Sequence, residues 1–317
     1  MYAQLKKIDP KIQKNILFKN LTTFEVGGPA RYFSLINDEP RLIKLLKFAR
    51  KNKLKFLIIG EGSNLLVSDA GFDGLTIKLN FCSAVVKKNI IAASADMLLN
   101  QLVGLSVSRG LTGLEFATGI PGTVGGAVVG NAGAYGFQIA DVLEKVEVLN
   151  KDFKKLTLDK KSLSFDYRYS SLMGKEQIVL KVFLKLKRGN QDQSIKKMIG
   201  LGHDRWQKHP HQPSAGSTFK NIILTKAVVK NLTDRGYKIP EKFFEYKKIA
   251  TAWLIEQLGL KGQKIGQAQI SEKHANHIVN CGNATADEVV QLISFVKTKA
   301  RDQLGIQLEE EVRYVGF

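Results

Sequence analysis

Thr118-Gly-Ile-Pro-Gly-Thr-Val-Gly-Gly-Ala-Val-Val-Gly-Asn-Ala-Gly-Ala-Tyr-Gly136 is the stretch whose reading decides the fold. It holds seven glycines, no charge and no regular amphipathic period. Glycine at this density lets the backbone adopt positive φ and approach a ligand closely. A surface loop with no binding role would be more polar. The pattern predicts a wall against which a flat, phosphate-bearing cofactor lies, its anions held by backbone N–H donors. Two plainer readings compete. A charge-free run from Phe116 to Ala140 is long enough for a membrane span, but Pro121, Asn131, Gln138 and the glycines interrupt it. The Gly122, Gly126, Gly130 spacing suits close helix packing, although Thr and Asn break its apolar setting.

The flanking sequence supplies the scaffold. Residues 40–53 have helical spacing with a basic outer face, and Phe56–Ile59 reads as a short buried strand. Further strands are expected at 75–79 and 89–93, and a helix over 97–107 with Gly110 as its stop. Beyond the glycine-rich block, 142–149, 155–158 and 177–187 read as strands. In the last, Ile178, Leu180, Val182, Leu184 and Leu186 alternate with mostly polar residues, as in a half-buried antiparallel strand. Helices are expected over 192–206 and 250–258, and His209–Pro213 reads as a stiff connector. Thr285-Ala-Asp-Glu288 is a capping box opening a helix with Val289, Leu292, Ile293, Val296 and Ala300 on one face and Gly305 as its stop. The final 306–315 reads as one charged strand that returns to a sheet of the first domain. The chain is therefore α+β.

Composition narrows the function classes. The 317 residues allow two or three domains. Residues 1–14 carry five charges and no apolar core, so no secretory leader is expected. Cys82 and Cys281 stand in no paired motif, which favours a reducing cytoplasm over a disulfide framework. A net charge of +19 favours anionic partners. The lysines are dispersed and no nucleic-acid-binding pattern accompanies them, so a nucleotide-like diphosphate fits better than DNA or RNA.

Four further segments carry chemistry. Gly60-Glu61-Gly62-Ser63-Asn64-Leu65 follows a strand and starts like a dinucleotide fingerprint, but Leu65 occupies the third glycine position. It reads as a phosphate-cradling turn, with an ordinary turn as the alternative. In Ser214-Ala-Gly-Ser-Thr-Phe-Lys-Asn221, Ser217 lacks a nucleophile-elbow context. Its hydroxyl suits proton donation to a strongly basic acceptor such as a carbanion. Arg168, between Tyr167 and Tyr169, suits a carboxylate clamp or a stacked surface arginine. Glu309, Glu310 and Glu311 repel one another and imply nearby cations. All five histidines lie beyond residue 200. His209 and His211, or His274 and His277, could serve as metal ligands, but no acidic or cysteine companion sits at ligand spacing, so no metal site is expected.

In order along the chain, these pieces resemble the UDP-N-acetylenolpyruvoylglucosamine reductase (UDP-N-acetylmuramate dehydrogenase) family. The resemblance rests on 20–28 (NLTTFEVGG), Gly60–Val67, Gly119–Gly126, Gly130–Gly136, Tyr167-Arg168, Ala215–Asn221, Gly259–Gly262, Ser271–Asn276 and Glu309–Arg313. It implies a vanillyl-alcohol-oxidase-like, two-part FAD-binding region over 1–80 and 81–213, and an α/β substrate-binding domain over 214–305. Residues 306–317 would return to the first part. It also implies non-covalent FAD, held by Gly60, Glu61, Gly62, Ser63, Asn64, Leu65, Thr118, Gly119, Ile120, Pro121, Gly122, Thr123, Gly125, Gly126 and Arg313. The family's catalytic arginine, serine and glutamate fall on Arg168, Ser217 and Glu311. Its substrate contacts fall on Tyr135, Lys208, Asn221, Lys261 and His274. The activity implied is NADPH-dependent reduction of UDP-N-acetylglucosamine enolpyruvate in peptidoglycan synthesis, by a cytoplasmic monomer. The short span from Arg168 to Ser217 resembles the class without an inserted substrate-capping loop. Ser94 and Asp96 replace glycines common in the family, and Ile222 replaces a proline. A flavin-dependent oxidase of the same fold is the alternative enzyme. A basic nucleic-acid-binding protein is the non-enzymatic one.

Overall fold

Leu42, Leu45, Leu46 and Ala49 recur at helical spacing, and all four are fully buried on the Glu39–Lys51 helix. The helix starts where Asp38 Oδ1 accepts the Arg41 N–H at 2.8 Å, with Pro40 in its first turn. The computed structural model describes every residue, Met1–Phe317, and the chain divides into two compact units. The first comprises 1–16, 30–61 and 73–207; the second comprises 17–29, 62–72 and 208–317.

The first unit is built on two sheets. One has the order Gln13–Leu17, Pro29–Ile36, Phe72–Leu79, Phe56–Ile59, its last pair parallel. The Glu39–Lys51 helix belongs to its apolar core, with Tyr32, Leu75 and Ile77. The other is antiparallel, in the order Lys155–Asp159, Leu143–Leu149, Ile178–Lys185, Ile90–Ser94, Ala84–Lys87. Its inward residues Val146, Val182, Leu184 and Ile91 are fully buried, as the alternation along 177–187 predicts. The Leu99–Ser108 and Val124–Val129 helices share that core through Leu102, Val103, Val124 and Val128. The Gln191–Lys208 helix is mostly exposed, with Ser194 its buried residue.

The second unit has an antiparallel sheet in the order Ser214–Ser217, His277–Asn280, Ala268–Ile270, Lys264–Ile265. The Thr251–Gln257 and Ala286–Lys299 helices pack into its core. The capping box forms as the sequence predicts: Thr285 Oγ1 accepts the Glu288 N–H and Glu288 Oε2 accepts the Thr285 N–H, each at 3.1 Å. Gly305 ends the following turn at φ +62°.

The expected terminal strand is shorter than its alternating pattern suggests. Only Arg313–Val315 is a strand, parallel to Leu65–Val67. Before it, the Lys220 N–H donates to Glu309 O and the Glu311 N–H to Thr218 O, an irregular seam rather than a ladder. Glu309 and Glu311 are therefore not set on one strand face. The cations their repulsion implies stand beside Glu309 and Glu310. Lys220 Nζ lies 3.1 Å from Glu309 Oε2, and Lys297 Nζ lies 2.8 Å from Glu310 Oε1. No helix is long and apolar enough to cross a membrane.

Candidate active site

The glycine-rich block folds as a turn running into the short Val124–Val129 helix. Close approach decides its sequence. A Cβ on Gly125 would stand 2.8 Å from Ala95 Cβ and 3.0 Å from Ala95 O. A Cβ on Gly60 would stand 2.5 Å from Thr123 Oγ1, so the 60–61 turn and the 118–126 wall touch backbone to side chain.

Many of the N–H groups expected to face an anion are used inside the fold. Val124 N–H donates to Met97 O and Gly125 N–H to Ala95 O. Gly126 N–H donates to Thr123 Oγ1, and Gly119 N–H to Asn100 Oδ1 at 2.7 Å. Thr118 and Ile120 N–H donate to Glu115 O and Ala117 O. This leaves the Gly122 and Thr123 N–H groups as the wall's available donors. The expectation of a donor-lined wall narrows to these two positions.

Ser94 and Asp96 leave the wall intact. Ser94 Oγ accepts from Ser83 N–H at 3.0 Å and Asp96 Oδ2 from Cys82 N–H at 2.8 Å, so both serve the neighbouring turn. Asp96, with burial added, raises the Cys82 thiol above its ordinary value. Ile222 pairs with Ile249 in a two-stranded ladder.

Glu115 supports the wall from behind, and sequence reasoning missed it. Its carboxylate is 1% exposed. Oε1 accepts from Thr112 Oγ1 at 2.6 Å and Ser194 Oγ at 2.7 Å, and Oε2 from Gly113 N–H at 2.8 Å. Burial pushes its pKa up, but these hydrogen bonds outweigh burial and hold it below the usual carboxylate range.

Still in the first unit, Arg168 is half-buried at φ +56°, a left-handed conformation uncommon for arginine. Its Nη1 donates to Gly133 O at 3.0 Å and its guanidinium lies over the Tyr167 ring. Tyr135 OH donates to Asp204 Oδ2 at 3.0 Å. Burial, then Asp204, raise the Tyr135 phenol above its ordinary value. Arg205 joins this group, another residue the sequence did not single out. Its Cδ would meet a Cβ on Gly119 at 3.0 Å, and both Tyr135 and Arg168 act on it electrostatically. Burial lowers its pKa. Two guanidiniums beside the wall make an anion-binding corner. Glu61 pairs with Lys78 at 2.7 Å. Ile120 is half-buried and Pro121 exposed.

The second unit brings together Asn64, Leu65, Ser217, Glu311 and Arg313. Asn64 Nδ2 donates to Glu311 O at 3.0 Å and Asn64 O accepts the Arg313 N–H at 2.9 Å. Leu65 pairs with Arg313, and the Gly62 carbonyl accepts the Leu65 N–H. The Glu311 N–H donates to Thr218 O at 2.8 Å, placing Glu311 beside the residue after Ser217. Ser63 is half-buried in the same turn. Of the expected substrate contacts here, Asn221 Oδ1 accepts the Thr251 N–H and anchors a helix start. Lys261 pairs with Glu256 at 2.8 Å, and Lys208 is exposed. His274 stacks on His209, ring centroids 5.1 Å apart. His209 Nδ1 lies 3.2 Å from His277 Nε2, a three-histidine cluster that local spacing along the sequence could not reveal.

Residues 30–158 match the family described as FAD binding domain, and 208–315 the one described as UDP-N-acetylenolpyruvoylglucosamine reductase, C-terminal domain. The reductase of that name from Caldanaerobacter subterraneus subsp. tengcongensis is 40% identical, covering 99% of this chain and 97% of its own. The one from Clostridium novyi is 36% identical, covering 96% and 92%. The crystal structure of the Thermus caldophilus enzyme superposes with a TM-score of 0.77 at 32% identity, covering 96% of this chain and 99% of that one. The two-part glycine wall, the arginine corner and the Ser217–Glu311 seam thus stand in a chain that belongs to the UDP-N-acetylenolpyruvoylglucosamine reductase family, FAD-dependent oxidoreductases of peptidoglycan synthesis.

Proposed function

We propose that the chain reduces UDP-N-acetylglucosamine enolpyruvate to UDP-N-acetylmuramate with NADPH, as a cytoplasmic monomer. The observation that carries the reading is the seam in which the Glu311 N–H donates to Thr218 O, bringing the backbone of Glu311 next to the residue after Ser217 in a family whose members are named as reductases of this ether. Bound FAD would supply the hydride-transfer chemistry that links NADPH oxidation to reduction of the enolpyruvyl ether. The residues fit that cofactor: the Gly122 and Thr123 N–H groups are not among the wall donors bonded within the fold and suit a phosphate.

Arg168, held by Gly133 O, pairs with the substrate carboxylate and balances the charge that develops on it. Arg205 adds a second positive charge to the same corner. Ser217 Oγ gives its proton to the carbon next to that carboxylate, and Glu311 polarises the serine side of the site. Gly60–Leu65, Thr118–Gly126 and Arg313 hold the cofactor. Tyr135, Lys208, Asn221, Lys261 and His274 bind the nucleotide sugar. The segments 1–80 and 81–213 serve the cofactor, 214–305 the substrate, and 306–317 completes the first of these. The flavin is held without a covalent bond, since no histidine precedes His203 to tether it.

The test is NADPH oxidation by the purified chain with and without the enolpyruvyl substrate. Oxidation that depends on the substrate supports the proposal. Equal oxidation without it, with oxygen consumed, replaces the reductase by an oxidase. Acid precipitation that leaves flavin in the pellet overturns the non-covalent assignment.

A further inference from the structure

We propose that His209, His274 and His277 form a zinc-binding site beside Ser217, and that Zn²⁺ there is an inhibitory ligand. The three side chains come from two distant parts of the chain: the connector after the Gln191–Lys208 helix, and the turn and strand at 274–277. One ligand atom from each lies within 4.8 Å of the others, and all three residues belong to the second unit. His277 is 5% exposed and the other two are half-buried.

One pair of nitrogens already has the spacing of ligands on a shared ion. His209 Nδ1 and His277 Nε2 are 3.2 Å apart. Two imidazole nitrogens on one tetrahedral Zn²⁺, each at about 2.0–2.1 Å, are separated by about 3.3 Å. The His277 ring stands nearly perpendicular to both partners, at 72° and 78°. The His209 and His274 rings stack at an interplanar angle of 12°, so one of them turns about its side-chain torsions to bring the third nitrogen to the ion. Three imidazoles with no carboxylate or thiolate suit zinc rather than calcium or magnesium. At neutral pH an unperturbed imidazole is mostly in its neutral, ligating form. Three protein ligands leave a fourth position open.

The fold says what that open position faces. Ser217 and His277 are register partners in the antiparallel pair of Ser214–Ser217 with His277–Asn280. Directly opposed residues project on the same face, with Cβ atoms about 4.5–5.5 Å apart. An ion among the three rings therefore lies next to the Ser217 hydroxyl and competes with the substrate for that space. Lys273 Nζ, 3.1 Å from His211 Nε2 on the adjoining loop, adds positive charge that keeps the affinity modest. The binding claim rests on the histidines alone; only the inhibition rests on the proposed reaction.

The experiment titrates Zn²⁺ into the flavin-loaded chain by calorimetry, with zinc-edge X-ray absorption on the product. The expected result is one ion per chain with outer-shell scattering from three imidazoles, and at least about tenfold weaker binding in His209→Gln and in His277→Phe. No saturable binding, or binding unchanged in both variants, overturns the site. Crystals of the unmutated chain soaked in zinc give a check that needs no variant. An anomalous peak between the three rings supports the site, and its absence with zinc present at saturation refutes it. Steady-state turnover is the second arm: zinc raises the apparent KM for the substrate, and His209→Gln removes the effect. Zinc bound without inhibition in an active enzyme overturns the placement beside Ser217. A chain with no reductase activity but the same isotherm refutes the proposed function and leaves the metal site standing.

Discussion

Replacing Glu115 tests whether a buried carboxylate holds the cofactor wall. In Glu115→Ala, the Gly113 N–H loses its acceptor, and the Thr112 and Ser194 hydroxyls lose theirs. A buried donor left without a partner costs about 1–3 kcal/mol, and hydrogen bonds to charged groups contribute about 1.5–3 kcal/mol each without adding fully. The alanine variant should be destabilised by about 3–4 kcal/mol. Glu115→Gln is milder, because its Oε1 can still accept from Gly113 and its amide can donate to the two hydroxyls once they rotate. A loss of about 1–2 kcal/mol follows, or a fall in Tm of about 2–4 °C per kcal/mol in domains of this size. The pH dependence has a definite sign. The folded-state pKa of Glu115 is depressed, so its contribution is fully present above the ordinary carboxylate value and is lost as pH falls through the depressed one. The gap between wild type and the glutamine variant should therefore be widest at neutral pH and close below about pH 4. Calorimetric unfolding across that range is the assay. A gap that widens on acidification, or no gap at pH 7, refutes an ionised Glu115 as the support.

Other perturbations separate packing from chemistry. Gly125→Ala drives a Cβ into Ala95 and should cost about 1–3 kcal/mol and release flavin, read by fluorescence of the filtrate. Gly104→Ala, whose Cβ meets nothing within 4 Å in the Leu99–Ser108 helix, should stabilise by about 0.5–1 kcal/mol and serves as its control. Ser217→Ala should lower kcat about 100-fold or more while stopped-flow bleaching of the flavin by NADPH keeps its rate; equal losses in both would remove the proton-donor role. Tyr314, its phenol pushed up to about 12 by burial and then by Glu310, should be among the last tyrosines to ionise in an ultraviolet titration. Glu310→Gln should bring that step down.

What the sequence disclosed was what depends on neighbours in the chain. The 3.6-residue period of Leu42, Leu45, Leu46 and Ala49 needs no tertiary information, nor does the Thr285–Glu288 box. Alternation along Ile178–Lys185 is equally local. The same local reasoning overextended the last strand, because charge alternation at 306–315 looks like pleating. Its backbone donors instead meet Thr218 and Asn64, far away in sequence. Glu115 was opaque for a related reason. An acid in an apolar turn reads as a surface charge until Ser194, 79 residues on, is seen to donate to it. His209 and His277 are separated by 68 residues, so the sequence could offer the His274 and His277 pair but not the third ring that joins it. Nor can composition show that most wall N–H groups are already bonded to Ala95, Met97, Asn100 and their neighbours.

The arginine corner explains why the chain keeps like charges together near the wall. Burial lowers the Arg205 pKa, and Arg168 lowers it further, so the fold holds a largely buried guanidinium close enough to a second to feel its charge. Local partners offset part of this: Gly133 O accepts from Arg168, while Tyr135 and Asp204 act on Arg205 in the opposite sense. An anion beside two partly desolvated guanidiniums gains more than it would beside one exposed arginine. Arg168 holds its place in this corner at a left-handed φ of +56°, with Gly133 O accepting from its Nη1. A site that is costly when empty and relieved by a carboxylate or diphosphate favours ligands carrying that charge. This gives the general excess of positive charge a local function that its dispersed lysines do not show.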